Sequence, residues 1–238
     1  MYGWRARIGL IIPSSNTVME PEFNKMAPEG VSIHAARMHF REVTPESLIK
    51  MEKYAEQAIK DLADAEVDVI IYGCTSGSLI KGKGYDIELG RKIKEISGIP
   101  GVTTSTAVIE ALKFFKMDKI SVATPYPEDV NRKEKEFLEG NKIKVLKIKG
   151  LGFLRNIDNG RQDPSVAYRL ARKVYLPEAD GVFISCTNFR TIEIIEPLER
   201  DFKKPVITSN QASFWAALKK VRISEPINYY GKLLTEGV

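Results

Sequence analysis

VDVIIYGCTSGS, residues 67–78, decides the fold. Its first seven residues are mostly apolar and β-branched, with no polar alternation. A run of that length and character predicts a strand buried on both faces, as in a parallel sheet. The run ends at Gly73. One of only two cysteines follows, then Thr75, Ser76, Gly77 and Ser78. Turns at the carboxyl ends of parallel strands are where open α/β sheets bind ligands. The stretch therefore predicts both an architecture and a place for chemistry.

Working outward, the same alternation of apolar runs and charged amphipathic segments continues. RIGLII (7–12) and VSIHAARM (31–38) predict strands. A helix is predicted over 44–65. It opens on Thr44, Pro45 and Glu46, and Leu48, Met51, Ala55, Ala58, Ile59 and Leu62 recur at helical spacing. Further helices are predicted in IELGRKIKEIS (87–97) and TAVIEALKFFK (106–116). The second half repeats the plan: strands in KISVAT (119–124), IKVLKIKGL (143–151), ADGVFIS (179–185) and KPVITSN (204–210), with helices in 127–140, 163–177, 191–202 and 211–221. This order predicts parallel α/β layers with crossover helices.

The halves also share a register. Pro13 and Pro125, each closing an apolar strand, lie 112 residues apart, and so do Cys74 and Cys186. The expected architecture is two pseudo-symmetric Rossmann-like α/β lobes with the site between them. Residues 1–118 carry Cys74 and residues 119–238 carry Cys186, with the terminal helix free to pack on the first lobe. Four polar turns would then converge: PSSNT (13–17), CTSGS (74–78), PYPED (125–129) and SCTN (185–188). Hydroxyls and backbone N–H groups in such turns suit a small carboxylate and favour a thiolate. One thiol could act as nucleophile or base and the other as acid.

Composition limits the alternatives. The chain has 238 residues, 43% hydrophobic and 28% charged, with a net charge of +5. Lys and Glu are interspersed, with no basic tract, so nucleic acid is not an expected partner. No apolar leader and no run of about 18 apolar residues occurs, which predicts a cytoplasmic protein without membrane spans. Two histidines, His34 and His39, share none of the cysteine turns, which argues against a Cys-His hydrolase and against a metal site. With no GxGxxG or Walker loop, no nucleotide cofactor is expected; KGKG (81–84) reads as a charged loop. Arg37 and Arg190 read as surface ion pairs.

PSSNTVMEPEF (13–23), YGCTSGS (72–78), ATPY (123–126), SCTNFRT (185–191) and KPVITSNQASFW (204–215) together resemble the maleate cis-trans isomerases. These sit in the aspartate/glutamate racemase-like superfamily beside the hydantoin racemases and arylmalonate decarboxylases. The resemblance implies a cofactor-independent enzyme, a small dicarboxylate substrate and a homo-oligomer. It implies that Cys74 is the nucleophile that forms a succinyl-cysteine, and that Cys186 exchanges a proton at the neighbouring carbon. It also implies that Asn16, Tyr126 and Asn156, with Asn159 as the rival, hold carboxylates. Ser14, Thr75, Ser76, Thr187 and Asn188 are expected to add hydrogen bonds. The decarboxylase relatives keep only the second cysteine. Two readings stay beside isomerisation: an amino-acid or hydantoin racemase using the cysteines as acid and base, and a non-catalytic carboxylate-binding protein.

Overall fold

The computed structural model describes residues 2–237. The first half carries strands β1 (Ala6–Pro13), β2 (Val31–Met38), β3 (Val69–Tyr72) and β4 (Gly101–Thr103), in sheet order β2-β1-β3-β4. The second carries β5 (Lys119–Thr124), β6 (Lys144–Gly150), β7 (Gly181–Ile184) and β8 (Val206–Thr208), in sheet order β6-β5-β7-β8. All pairings are parallel. The predicted α/β architecture is borne out. The predicted repeat reaches the level of register: the pair Ile8–Val69 recurs as Ile120–Gly181, an offset of 112 residues on both strands.

The central strands are apolar without alternation because helices cover both faces. Val69–Tyr72 and Gly181–Ile184 are buried throughout. The first half's helices are α1 (Met19–Met26), α2 (Pro45–Met51), α3 (Ala55–Asp64), α4 (Thr75–Leu79), α5 (Tyr85–Ser97) and α6 (Thr104–Phe114). The second half's are α7 (Glu128–Gly140), α8 (Asn156–Gly160), α9 (Pro164–Val174), α10 (Ile195–Phe202), α11 (Ser209–Lys220) and α12 (Lys232–Glu236). Sequence reading anticipated neither α1, α8 nor α12.

The helix predicted over 44–65 is broken. It starts as expected, with Thr44 accepting from the Ser47 N–H and Pro45 in the first turn. A single 3-10 turn, Glu52–Tyr54, then separates α2 from α3. Glu52 at the break accepts hydrogen bonds from Lys81 and from the Tyr85 hydroxyl. Contacts distant in sequence have overridden a continuous local pattern.

Two apolar clusters fill the interior, and each draws on both halves. One joins Leu10, Phe23 and Val102 to Phe137, Phe214 and Trp215. Helix α11 packs on α6 and α1 of the first half, with the Phe23 and Phe214 rings edge to face at 5.1 Å between centroids. In each sheet the strand order reverses between the two central strands, so the crevices at the carboxyl ends of β1/β3 and β5/β7 are the switch points.

Candidate active site

Cys74 sits between β3 and α4. Its extended backbone makes it the residue before the helix, and its Sγ accepts the Gly77 N–H at 3.3 Å. The Ser76 Oγ is 3.9 Å from the sulfur. Gly77 is required by close approach. A β-carbon there would lie 2.9 Å from the Cys74 Sγ and 2.7 Å from the Met51 Cε, which caps the turn from α2.

Cys186 follows β7 in a different way. No helix begins there; the residue adopts φ +98°, a region that costs a side-chain-bearing residue about 1–3 kcal/mol. Three contacts hold it: its N–H donates to the Ser209 Oγ (3.0 Å), its Sγ accepts from the Asn188 N–H (3.3 Å), and the Asn159 Nδ2 lies 3.8 Å from the sulfur. The Tyr126 hydroxyl also bears on this sulfur.

The two cysteine turns are stitched together. The Thr75 hydroxyl donates to the same Ser209 Oγ that receives the Cys186 N–H (2.8 Å). The Thr187 hydroxyl donates to the Gly73 carbonyl (3.1 Å), and Asn16 Nδ2 donates to the Thr187 Oγ1 (3.0 Å). Residues next to one thiol thus bond directly to residues next to the other. An ionised Cys74 would oppose ionisation of Cys186.

Both thiols are free and buried, at 5% and 4% exposure. Burial pushes Cys74 up to about 11 and Cys186 up to about 12, outweighing the N–H and hydroxyl donors that pull the other way. The expectation that the turns would lower a thiol pKa is reversed: desolvation is the larger effect, and both sulfurs rest as thiols at neutral pH.

The other expected residues divide by what already occupies them. Tyr126, Thr75, Ser76, Thr187 and Asn159 are buried around the sulfurs. The Asn159 Oδ1 has no partner. Asn16 spends its Oδ1 on the Val18 and Met19 N–H groups at the start of α1. Asn156 donates to Ser15 (2.9 Å) and receives from Asn159, so it stands one residue removed from the thiol. Asn188 braces the halves, accepting from the Thr17 N–H and donating to the Asn156 carbonyl. Ser14 is exposed and exchanges bonds with the Phe40 backbone. Arg37 pairs with Glu20 and holds the Ser14 and Asn16 carbonyls, and Arg190 pairs with Glu193.

A family model described as arylmalonate decarboxylase matches residues 8–234. The chain belongs to that family. It is 26% identical to the maleate isomerase of Geobacillus stearothermophilus, with 96% of this chain and 97% of the relative covered. It is also 26% identical to the arylmalonate decarboxylase of Bordetella bronchiseptica, with 89% of each covered. A cysteine-to-alanine variant of the maleate isomerase from Pseudomonas putida S16, crystallised with maleate, superposes with a TM-score of 0.93 at 25% identity over 97% of each chain. The family and the fold are those the sequence motifs resembled.

Ser209 was missed as a site residue. Its signal lay in TSNQ (208–211), where Thr208 and Gln211 form a reciprocal cap that presents Ser209 at the start of α11. Glu22 and Glu134, both buried, were also missed. Among the described residues no helix is long and apolar enough to cross a membrane, and no group of three or more His, Cys, Asp or Glu side chains is placed to hold a metal ion.

Proposed function

We propose that this enzyme isomerises maleate, or a close cis-diacid, to the trans isomer without a cofactor. The carrying observation is the pair of buried thiols on equivalent turns, joined through Ser209 and the Thr187–Gly73 bond. One reactive thiol would suffice for proton delivery to a planar intermediate; two with unlike surroundings suit addition and protonation by separate groups. The relatives named maleate isomerase, including one crystallised with maleate, support the substrate class.

In this reading Cys74 Sγ bonds to one alkene carbon and the π bond breaks toward the other. The charge that develops spreads into the carboxylate on that second carbon. Tyr126 O–H and the N–H donors of Asn159 and Asn16 are the groups to steady it; one such donor is worth about 3–4 kcal/mol in comparable sites. Cys186 delivers its proton to the second carbon and takes up the proton that Cys74 sheds as its sulfur bonds to carbon, so sulfur and hydrogen have added across the double bond with no net proton change. The central bond is now single and rotates. Reverse transfer to Cys186 and expulsion of Cys74 release the trans diacid.

Resting thiols fit this chemistry, because the addition consumes a thiol and needs no external base. Asn159, nearer the sulfur than Asn156, takes the role of the site asparagine. The test is incubation of the purified protein with maleate alone, followed by proton NMR. Fumarate is expected. Its absence, together with racemisation of an amino acid or hydantoin in a parallel panel, would replace this reading with the acid-base racemase.

A further inference from the structure

The two cysteine turns are equivalent in the repeat but fastened in unlike ways. The Cys74 turn is wound straight into α4, so a helix fixes it. The Cys186 turn leaves β7 at φ +98° and runs irregularly to a 3-10 turn, Ile192–Ile194, ahead of α10. Thr191 offers that 3-10 turn no side-chain cap. The cap comes from the other half of the chain. Glu22 on α1, 4% exposed, accepts the Thr191 N–H (2.8 Å) and the Ile192 N–H (3.3 Å) on one carboxyl oxygen. Its other oxygen accepts from Asn210 Nδ2 (2.6 Å), and the same amide nitrogen donates to the Thr187 carbonyl (3.1 Å).

These links close into a ring. Thr187 Oγ1 accepts from Asn16 Nδ2 (3.0 Å). Asn16 Oδ1 in turn accepts the Val18 and Met19 N–H groups that open α1, the helix that carries Glu22. The ring asks for a carboxylate. Three N–H donors converge on two oxygens, and an ionised carboxyl accepts at both. Glutamine would set an amide N–H against one side. Turned one way it opposes the Thr191 and Ile192 N–H groups. Turned the other way it opposes Asn210, whose Nδ2 must then swing off the Thr187 carbonyl. Glu134, the counterpart of Glu22 at the 112-residue offset, shows what the position does without such work. It is buried on α7 with neither oxygen hydrogen-bonded, and α7 packs on α4, whose own helix already fixes the Cys74 turn.

We propose that Glu22 is a positioning residue for the second thiol: its carboxylate holds the Cys186 turn in register with Asn16. It touches neither sulfur. It acts through the Thr187 carbonyl and the Thr191 and Ile192 amides, all downstream of Cys186 on the same turn. In the isomerase reading Cys186 delivers a proton to the carbon whose carboxylate Asn16 helps to steady, so the register of these two groups sets proton delivery. That catalytic consequence rests on the isomerase reading; the placement of the thiol does not.

The first measurement needs no substrate. Alkylation of the intact protein by iodoacetamide is followed at pH 8.5, above the value of about 7 to which burial lifts the Glu22 carboxyl, with peptide mapping to resolve the two thiols. A buried thiol reacts through local opening, so in Glu22→Gln Cys186 should react about threefold faster or more while Cys74 keeps its rate. Phe23→Leu loosens the same helix against Phe214 without touching the ring, and should leave the ratio of the two rates as in the wild type. With maleate, Glu22→Gln should lose about tenfold in kcat with a smaller change in KM. Asn210→Leu, which removes the relay, should match it, and Phe23→Leu should not. An unchanged Cys186 rate in Glu22→Gln, equal acceleration at both thiols, or an equal shift of the ratio in Phe23→Leu would each overturn the proposal. If Glu22→Gln fails to fold, Asn210→Leu carries the same measurement. Absence of fumarate with the wild type removes the isomerase reading and leaves the alkylation result standing.

Discussion

Replacing Glu134 by glutamine should make the protein more stable at alkaline pH. Burial raises the carboxyl from 4.5 to about 8. The folded state therefore holds a proton that the unfolded chain releases between those values. This contribution is fully present below about pH 4.5, declines as pH rises, and is gone above about pH 8. A span of about 3.5 pH units at about 1.4 kcal/mol each sets a ceiling of roughly 5 kcal/mol. Glutamine has the same shape and no proton to lose, so its contribution is flat. In a chain of this size each kcal/mol moves the melting temperature by about 2–4 °C. The assay is thermal unfolding of both proteins at pH 5.5 and 8.5. The variant's advantage at pH 8.5 should exceed that at pH 5.5 by at least 5 °C. Because the comparison is a difference, Glu22, which titrates at about 7 in both proteins, cancels. An advantage that does not change with pH would mean that Glu134 ionises freely in the folded protein, and the burial reasoning would be wrong.

Glu22→Gln should cost about 1–3 kcal/mol in chemical denaturation at pH 5.5, since one of the three donors that now aim at the carboxyl would meet an amide N–H, and the loss should shrink as pH rises through about 7, where the wild-type carboxyl gives up its proton. Gly77→Ala should cost about 1–3 kcal/mol, because the new methyl meets the Cys74 sulfur and Met51; calorimetry checks the loss, and alkylation of Cys74 should slow as its N–H donor is pushed away. Cys186→Ser incubated with maleate should gain the mass of one maleate on Cys74, while Cys74→Ala should gain nothing and form no fumarate. Asn159→Ala should lower kcat by about 10²-fold with modest loss of stability, whereas Asn156→Ala, which breaks the tie to Ser15, should act on melting temperature first.

Much of the fold is legible in the chain because its signals are local. An unbroken apolar run such as VIIY can be little else than a doubly covered strand, and the recurrence of such runs sets the layer order. Helix α1 escaped because Pro21 interrupts an eight-residue segment whose apolar positions, Met19, Phe23 and Met26, are too few to declare a period. The break at Glu52 escaped because Lys81 and Tyr85, which hold it, arrive from another element. At the site, the cysteines and their hydroxyl-rich turns were readable from the offset alone. The direction of the thiol pKa values was not, since it depends on depth of burial. The positive φ at Cys186 was not either: one of the contacts that hold it comes from Ser209, on a distant helix. Glu134 was hidden inside RKEKEFLEG (132–140), which reads as a solvated charged face until α7 is seated on its sheet.

The sharing of both apolar clusters between the halves has a consequence for how the chain is made. During synthesis the first sheet emerges long before α11, which carries Phe214 and Trp215 onto α6 and α1. Arg5 awaits Glu225, and the Lys25 carbonyl awaits the Tyr230 hydroxyl. The amino-terminal half therefore leaves the ribosome with an uncovered apolar face and cannot finish folding until nearly the whole chain has followed it. A truncated transcript, or a stalled ribosome past residue 118, would release a sticky fragment instead of a small working lobe.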